Sequence, residues 1–115
     1  MAEKKYITNR KEAFKNSSLP YSFAYKIRNA FIGEICPMCK FEMRYFEVDE
    51  VVGVMKSIRS PSIQHNIPIN LGGKHELDNI SVICRSCNNT LQDTITGSLN
   101  NSKVKEKWQM LNGLK

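Results

Sequence analysis

No stretch of this chain approaches the ~20 consecutive apolar residues of a membrane-spanning helix, and no long basic amphipathic helix is present for lying on a bilayer. The opening residues, Met1 to Tyr6, are polar and lack the apolar centre of a secretory signal. An intracellular, reducing setting (cytoplasm or nucleus) is therefore expected, with no membrane partner. Internal repeats and low-complexity tracts are missing too, which sets aside repeat architectures. Neither sign of charge is extreme: 17 Lys and Arg against 11 Asp and Glu give +6. Such a balance suits a polyanionic partner but supports nucleic acid only weakly. At 115 residues a single domain over 1–115 is expected, small enough for a metal cross-link to help its core materially.

What the chain does contain is a nested set of cysteine, histidine, asparagine and glycine. Two short pairs, Cys36-Pro37-Met38-Cys39 and Cys84-Arg85-Ser86-Cys87, bracket a run from His65 to Gly73, with Asn79 and Asn88 behind it. The pattern reads C-x2-C … H-x2-P-x3-G-G-x5-N-x4-C-x2-C-N. In a reducing compartment two matched C-x2-C pairs point to a metal rather than to disulfides. Each tight turn can offer two thiolates to one tetrahedral zinc ion, and a closed four-sulfur site of this kind staples a fold without leaving a position for catalysis. Bound zinc would bring the net charge to about +4. The alternatives are a redox pair, against which the second pair argues, or two disulfides.

Hydropathy patterning divides the chain into an N-terminal arm (1–16), a motif-bearing core (20–95) and a C-terminal helix (100–114). Leu19, Phe23, Ile27 and Phe31 recur every four residues, the stripe of an amphipathic helix. Ser17 or Ser18 can cap it, Pro20 is tolerated in its first turn, and Gly33 suits a left-handed stop. Lys26 and Arg28 lie on its polar face. Residues 41–54 are rich in aromatic and β-branched side chains and predict one or two strands. Residues 62–67 predict a short strand carrying His65, and residues 79–83 predict its return across a loop holding Gly72 and Gly73. A short helix over 84–94 would place Asn88 in its first turn. A last helix would carry Val104, Trp108 and Leu111 on one face, with Trp108 as a core anchor. Asparagine is frequent, which genome composition alone would also produce.

His65 with two asparagines suits a hydrolytic centre. Pro68 stiffens the exit from the strand, and the glycine pair permits close approach of a phosphate backbone. His65-x2-Pro68-x3-Gly72-Gly73, Asn79 and Cys84-x2-Cys87-Asn88 together resemble the HNH nuclease family and its ββα-metal fold. The segment from Tyr25 to Gly33, leading into Cys36 and Cys39, resembles the zinc-carrying members of that family. The resemblance covers roughly residues 20–95.

That resemblance implies an α+β fold: a hairpin–helix core with structural zinc on Cys36, Cys39, Cys84 and Cys87, and flanking helices. His65 would be the general base toward the attacking water. Asn88 would help hold a divalent ion, magnesium or another, that binds phosphate and steadies the leaving oxygen. Asn79 would brace the hairpin and fix His65. One position departs from the family pattern: the residue before the histidine is usually Asp or His and ligates the ion, and here it is Gln64. A neutral amide oxygen holds a divalent cation less well than a carboxylate. Asp49 or Glu50 on a neighbouring strand is a substitute ligand to consider, whereas His75 and Asp78 are expected to face solvent. Arg59, Lys56, Lys74 and Arg85 lie beside the motif and suit phosphate contact, with solvated surface charge as the plain alternative for each.

The expected function is metal-assisted hydrolysis of DNA phosphodiester bonds; RNA offers the same bond. The rival is an HNH-fold nucleic-acid-binding module weakened or inactivated by Gln64. A zinc-dependent protein-interaction domain is a third reading. A lone centre of this kind makes one nick, so a homodimer would be needed to cut both strands.

Overall fold

The protein is described from a computed structural model covering residues 11–44 and 59–113. Of the strands expected over 41–54, residues 41–44 carry only the bridge at Glu42, and 45–54, together with Asp49, Glu50 and Lys56, lie outside the described residues, as does most of the N-terminal arm.

Residues 11–15 are helical. The apolar stripe forms helix α1, Phe23–Ala30, with Phe23 and Ile27 fully buried one turn apart and Phe31 buried just beyond its end. The helix is shorter than its pattern, because Pro20 closes a separate turn in which its carbonyl accepts the Phe23 N–H at 2.9 Å. Ser22 occupies the N-cap without a side-chain bond. The two serines expected to cap α1 are used over a longer range. Ser17 Oγ donates to the His75 carbonyl, while Ser18 donates to the Glu76 carboxylate from its N–H (2.9 Å) and its hydroxyl (2.5 Å). Gly33 does take the left-handed conformation, φ +92°, and its N–H reaches the Met43 carbonyl at 2.7 Å. That contact, with the Ile35–Glu42 bridge, folds the first cysteine pair into a tight knuckle.

Strands β1, Pro61–His65, and β2, Ile80–Cys84, pair antiparallel with Pro61 opposite Cys84 and His65 opposite Ile80. The loop between them carries two 3-10 turns, Ile69–Leu71 and Leu77–Asn79. Gly73 is obligatory in this loop: a Cβ there would lie 1.7 Å from the Ile67 carbonyl oxygen. Helix α2, Arg85–Leu91, follows β2 directly, completing a ββα unit, and helix α3, Asn101–Leu111, returns over the back of the hairpin.

The core lies between α1, the buried strand β2 and α3. Phe23, Ile27, Phe31 and Met43 meet Ile80, Val82 and Ile83, with Val104 and Trp108 closing the far side. Trp108 packs edge-on against Phe23, ring centroids 4.8 Å apart, as a core anchor should. Leu111, predicted on the same face, is instead exposed, because the last turn of α3 runs beyond the core. Two asparagines dock α3. Asn100 pairs with the backbone of Val82 as a strand would, accepting its N–H at 2.9 Å and donating to its carbonyl at 2.7 Å. The buried Asn101 donates to the carbonyls of Leu77 and Ile80, both at 2.7 Å. Glu34 bridges to Lys103 (2.6 Å) and Lys107 (2.9 Å), and those hydrogen bonds hold its carboxyl below the usual range.

Replacing Asn101 by leucine keeps the volume but leaves two carbonyls without their donor. Asn101→Leu should cost roughly 1–3 kcal/mol, read as a lower midpoint in urea. Asn112→Ala at the exposed end of α3 should leave the midpoint close to wild type. Equal midpoints for the two variants would mean that Asn101 does not dock the helix.

Candidate functional site

The sulfurs of Cys36, Cys39, Cys84 and Cys87 lie within 4.8 Å of one another. Cys36 and Cys87 are 3.9 Å apart, and Cys39 and Cys84 are 3.6 Å apart. Four thiolates at ~2.3 Å around a tetrahedral ion would sit about 3.8 Å from each other. The cluster can thus hold a structural metal such as zinc. Two local features make it. The knuckle turns on Lys40 in the left-handed conformation (φ +67°) with its N–H on the Cys36 carbonyl at 2.9 Å. The second pair straddles the start of α2, where Cys84 is the N-cap and its sulfur accepts the Cys87 N–H. Burial opposes ionisation of Cys36, but N–H groups of Cys39, Cys84 and Met38 outweigh it and bring the thiol down to about 7. Burial pushes Cys84 and Cys87 above the usual thiol range. A cation would therefore displace protons from the second pair.

On the other side of the hairpin lies a cleft of about 560 Å³. Gln64, His65 and Asn88 all line it, as do Arg28, Arg85 and Asp93. The three motif residues that the sequence brings under suspicion as reacting or metal-holding groups thus share one cavity. Asn88, in the first half of α2, donates from Nδ2 to Ser62 Oγ (2.7 Å) and to the Ile63 carbonyl (2.8 Å). Both amide hydrogens being committed to β1, Oδ1 is the side chain's acceptor. Gln64 is buried, and its Nε2 has no hydrogen-bond partner among the described residues. Such an orphan costs roughly 1–3 kcal/mol and marks a group that a ligand can satisfy.

Asn79 does not line the cleft but organises the loop above it. It accepts the Ile67 N–H at 2.8 Å and donates to the carbonyls of Ile67 (3.0 Å) and Lys74 (2.9 Å), and its own carbonyl accepts the Asn66 N–H at 2.8 Å. The loop's two arms are thereby held beside the end of β1.

Of the basic residues singled out from sequence, Arg85 lines the cleft, whereas Lys74 and Arg59 are not among its lining residues. Arg59 instead lies over the Phe41 ring, 4.0 Å from its centroid. Arg28 is a lining residue, with its Nε donating to the Pro61 carbonyl at 3.0 Å; only its place on the polar face of α1 signalled it. Asp93, the one carboxylate among the described lining residues, is exposed and accepts from Asn70 at 3.2 Å. Nothing in the sequence marked it. Asp78 faces solvent as expected, paired with Lys105 at 2.6 Å. His75 does not face solvent. It is 5% exposed, and its Nδ1 lies 3.0 Å from His65 Nε2, because the second half of the loop folds back over β1.

The cysteine geometry predicts one zinc ion per purified chain, with loss of the fold on strong chelation. Zinc affinity should fall steadily as pH falls, because protons compete with the metal for the thiolates. Metal analysis showing no zinc, or intact folding of Cys84→Ser, would remove the staple.

Residues 56–104 match the family model of the HNH endonucleases. Neither a curated protein nor a solved structure matches the chain. The matched segment contains the hairpin, its loop, α2 and the start of α3; Cys36, Cys39 and Arg28 stand outside it. Motif, ββα unit and family match coincide on the same residues, so that residues 56–104 are similar to the HNH endonuclease family.

Proposed function

We propose that the protein is a metal-dependent endonuclease that hydrolyses phosphodiester bonds in DNA. The observation that carries this reading is the convergence of His65, Gln64 and Asn88 on one cleft that Arg28 and Arg85 also line. His65 acts as the general base, taking a proton from water as it attacks phosphorus. Arg85 and Arg28 meet the phosphate's charge, and guanidinium groups suit it because they offer paired donors to two oxygens. Asn79 keeps the loop, and through it the end of β1, in place.

The cleft's amides fit a divalent ion such as magnesium, which prefers oxygen donors. Asn88 would offer Oδ1, and Gln64 would offer Oε1 once its orphaned amide turns over. The ion would supply charge neutralisation at the phosphate and the leaving oxygen. A neutral pair of amides compensates the ion's charge less than the acidic ligand usual at the Gln64 position. That same neutrality favours a second reading, in which the domain docks on nucleic acid without cutting it. No helix among the described residues is long and apolar enough to cross a membrane.

Plasmid nicking across divalent ions separates the two readings. The wild-type protein should nick, His65→Ala should fold and not nick, and Gln64→Asp should bind the ion more tightly and cut faster. Nicking that survives His65→Ala would place the activity elsewhere. No cleavage by either the wild type or Gln64→Asp, with any ion, would support the binder.

Both readings share a salt dependence. DNA affinity should fall steeply as ionic strength rises, since lysine and arginine contacts release counterions from phosphates. A complex indifferent to salt, or none at low salt, would remove nucleic acid as the partner.

A further inference from the structure

The chain's two histidines meet within the cleft, both lining it. His65 Nε2 and His75 Nδ1 are 3.0 Å apart, a hydrogen-bond distance between two imidazole nitrogens. In a neutral pair one nitrogen must donate and the other accept. Only one ordering leaves His65 able to act as a base. If His75 donated from Nδ1, the accepting Nε2 of His65 would be engaged and its Nδ1 would already carry the ring proton. If His65 donates from Nε2, its proton is held on that side and Nδ1 is the basic nitrogen.

The surroundings of His75 are built to keep its ring where it is. Phe14 lies against it with centroids 4.1 Å apart, and Phe23 meets it edge-on at 5.9 Å from the core side. Phe14 also meets His65 edge-on at 6.3 Å, so one phenyl ring covers both imidazoles. The backbone around His75 is fastened on either side: Asn79 holds the Lys74 carbonyl, Ser17 holds the His75 carbonyl, and Ser18 holds the Glu76 carboxylate. These bonds tie the loop to the segment ahead of α1. A histidine serving only to fill space would not need its nitrogen aimed at the adjacent motif histidine.

We propose that His75 is a positioning residue for His65: it accepts the Nε2 proton, fixes the ring's rotation and tautomer, and directs proton uptake to Nδ1. This rests on the reading of His65 as the general base. His75 lines the same cleft beside His65, and the role assigned to it is exerted through the His65 ring. The division of labour is that of a base and its orienting partner, in which the second group selects the tautomer and holds the ring.

The test uses the full chain with its zinc in place and magnesium left out. Because it has only two histidines, ring nitrogens are readily assigned by nitrogen-15 NMR, with His75→Asn leaving a single imidazole. At a pH where both rings are neutral, the proton should sit on His65 Nε2 and show scalar coupling across the hydrogen bond to His75 Nδ1. A proton on His65 Nδ1, or an Nε2 proton without that coupling, overturns the proposal whether or not the protein cuts DNA.

Kinetics supply the second arm. His75→Leu should lower the nicking rate by roughly 10- to 100-fold, as expected of a misplaced reacting group, with little change in DNA affinity. His75→Asn, whose amide oxygen can stand near the Nδ1 position, should recover part of that loss. Wild-type rates in a folded His75→Leu protein, or equal losses in the two variants at equal stability, overturn the role. If the wild-type protein shows the coupling but never nicks, the ring pairing stands and the endonuclease reading fails.

Discussion

The four-sulfur cluster is the constraint on which the rest of the molecule depends. It joins the knuckle behind α1 to the first turn of α2, two segments far apart in sequence. A chain of this size has a modest core, and the buried apolar set here is drawn from only one strand, two helices and the knuckle. A bound metal of ~10–16 kcal/mol would rival the stability of the whole domain. Its position also matters for the site. Cys84 ends β2 and caps α2, so the sulfurs that would grip an ion also set the angle at which α2 crosses the hairpin. Asn88 stands one residue beyond the last sulfur, and its place in the cleft is inherited from that angle.

Around this staple, side-chain amides do work that longer secondary structure does elsewhere. β1 and β2 form a two-stranded sheet among the described residues, and such a hairpin alone is marginal in water. Asn100 supplies the missing third partner at Val82, Asn101 caps carbonyls at the loop and strand, Asn79 ties the loop's arms, and Asn66 accepts from the buried Ser81 hydroxyl at 2.8 Å. Asparagine suits this because one short side chain donates and accepts at once. The abundance of asparagine is therefore put to structural use here.

The cleft has an unusual electrical character. Two arginines line it, while the buried polar residues among its described lining are Ser60, Gln64 and His75, and its carboxylate, Asp93, is exposed. Such a site attracts phosphate without a metal more readily than one ringed by acids. Any divalent ion would be held largely by neutral oxygens and by the phosphate itself. Gln64 lies at the centre of this balance, buried with its Nε2 unsatisfied among the described residues.

Several features were legible in the sequence because they are local and periodic. The C-x2-C spacing announced a metal cluster, the four-residue apolar stripe announced α1, and the run from His65 to Asn88 announced a hairpin followed by a helix. That spacing, with the residue types it carries, is what resembles the HNH family. What the sequence could not decide is which distant groups meet. His75 reads as a loop residue in a polar stretch, and nothing in its neighbours predicts burial under Phe14 or a nitrogen set against His65. Ser17 and Ser18 read as helix caps, yet they fasten the loop because Pro20 closes its own turn between them and α1. Arg28 enters the cleft from α1 and Asp93 from the turn after α2, whereas Lys74 and Arg59 do not line it. Spacing along a chain reports what one turn or strand can present; only the closed fold, which the sulfurs and amides hold, decides what faces it.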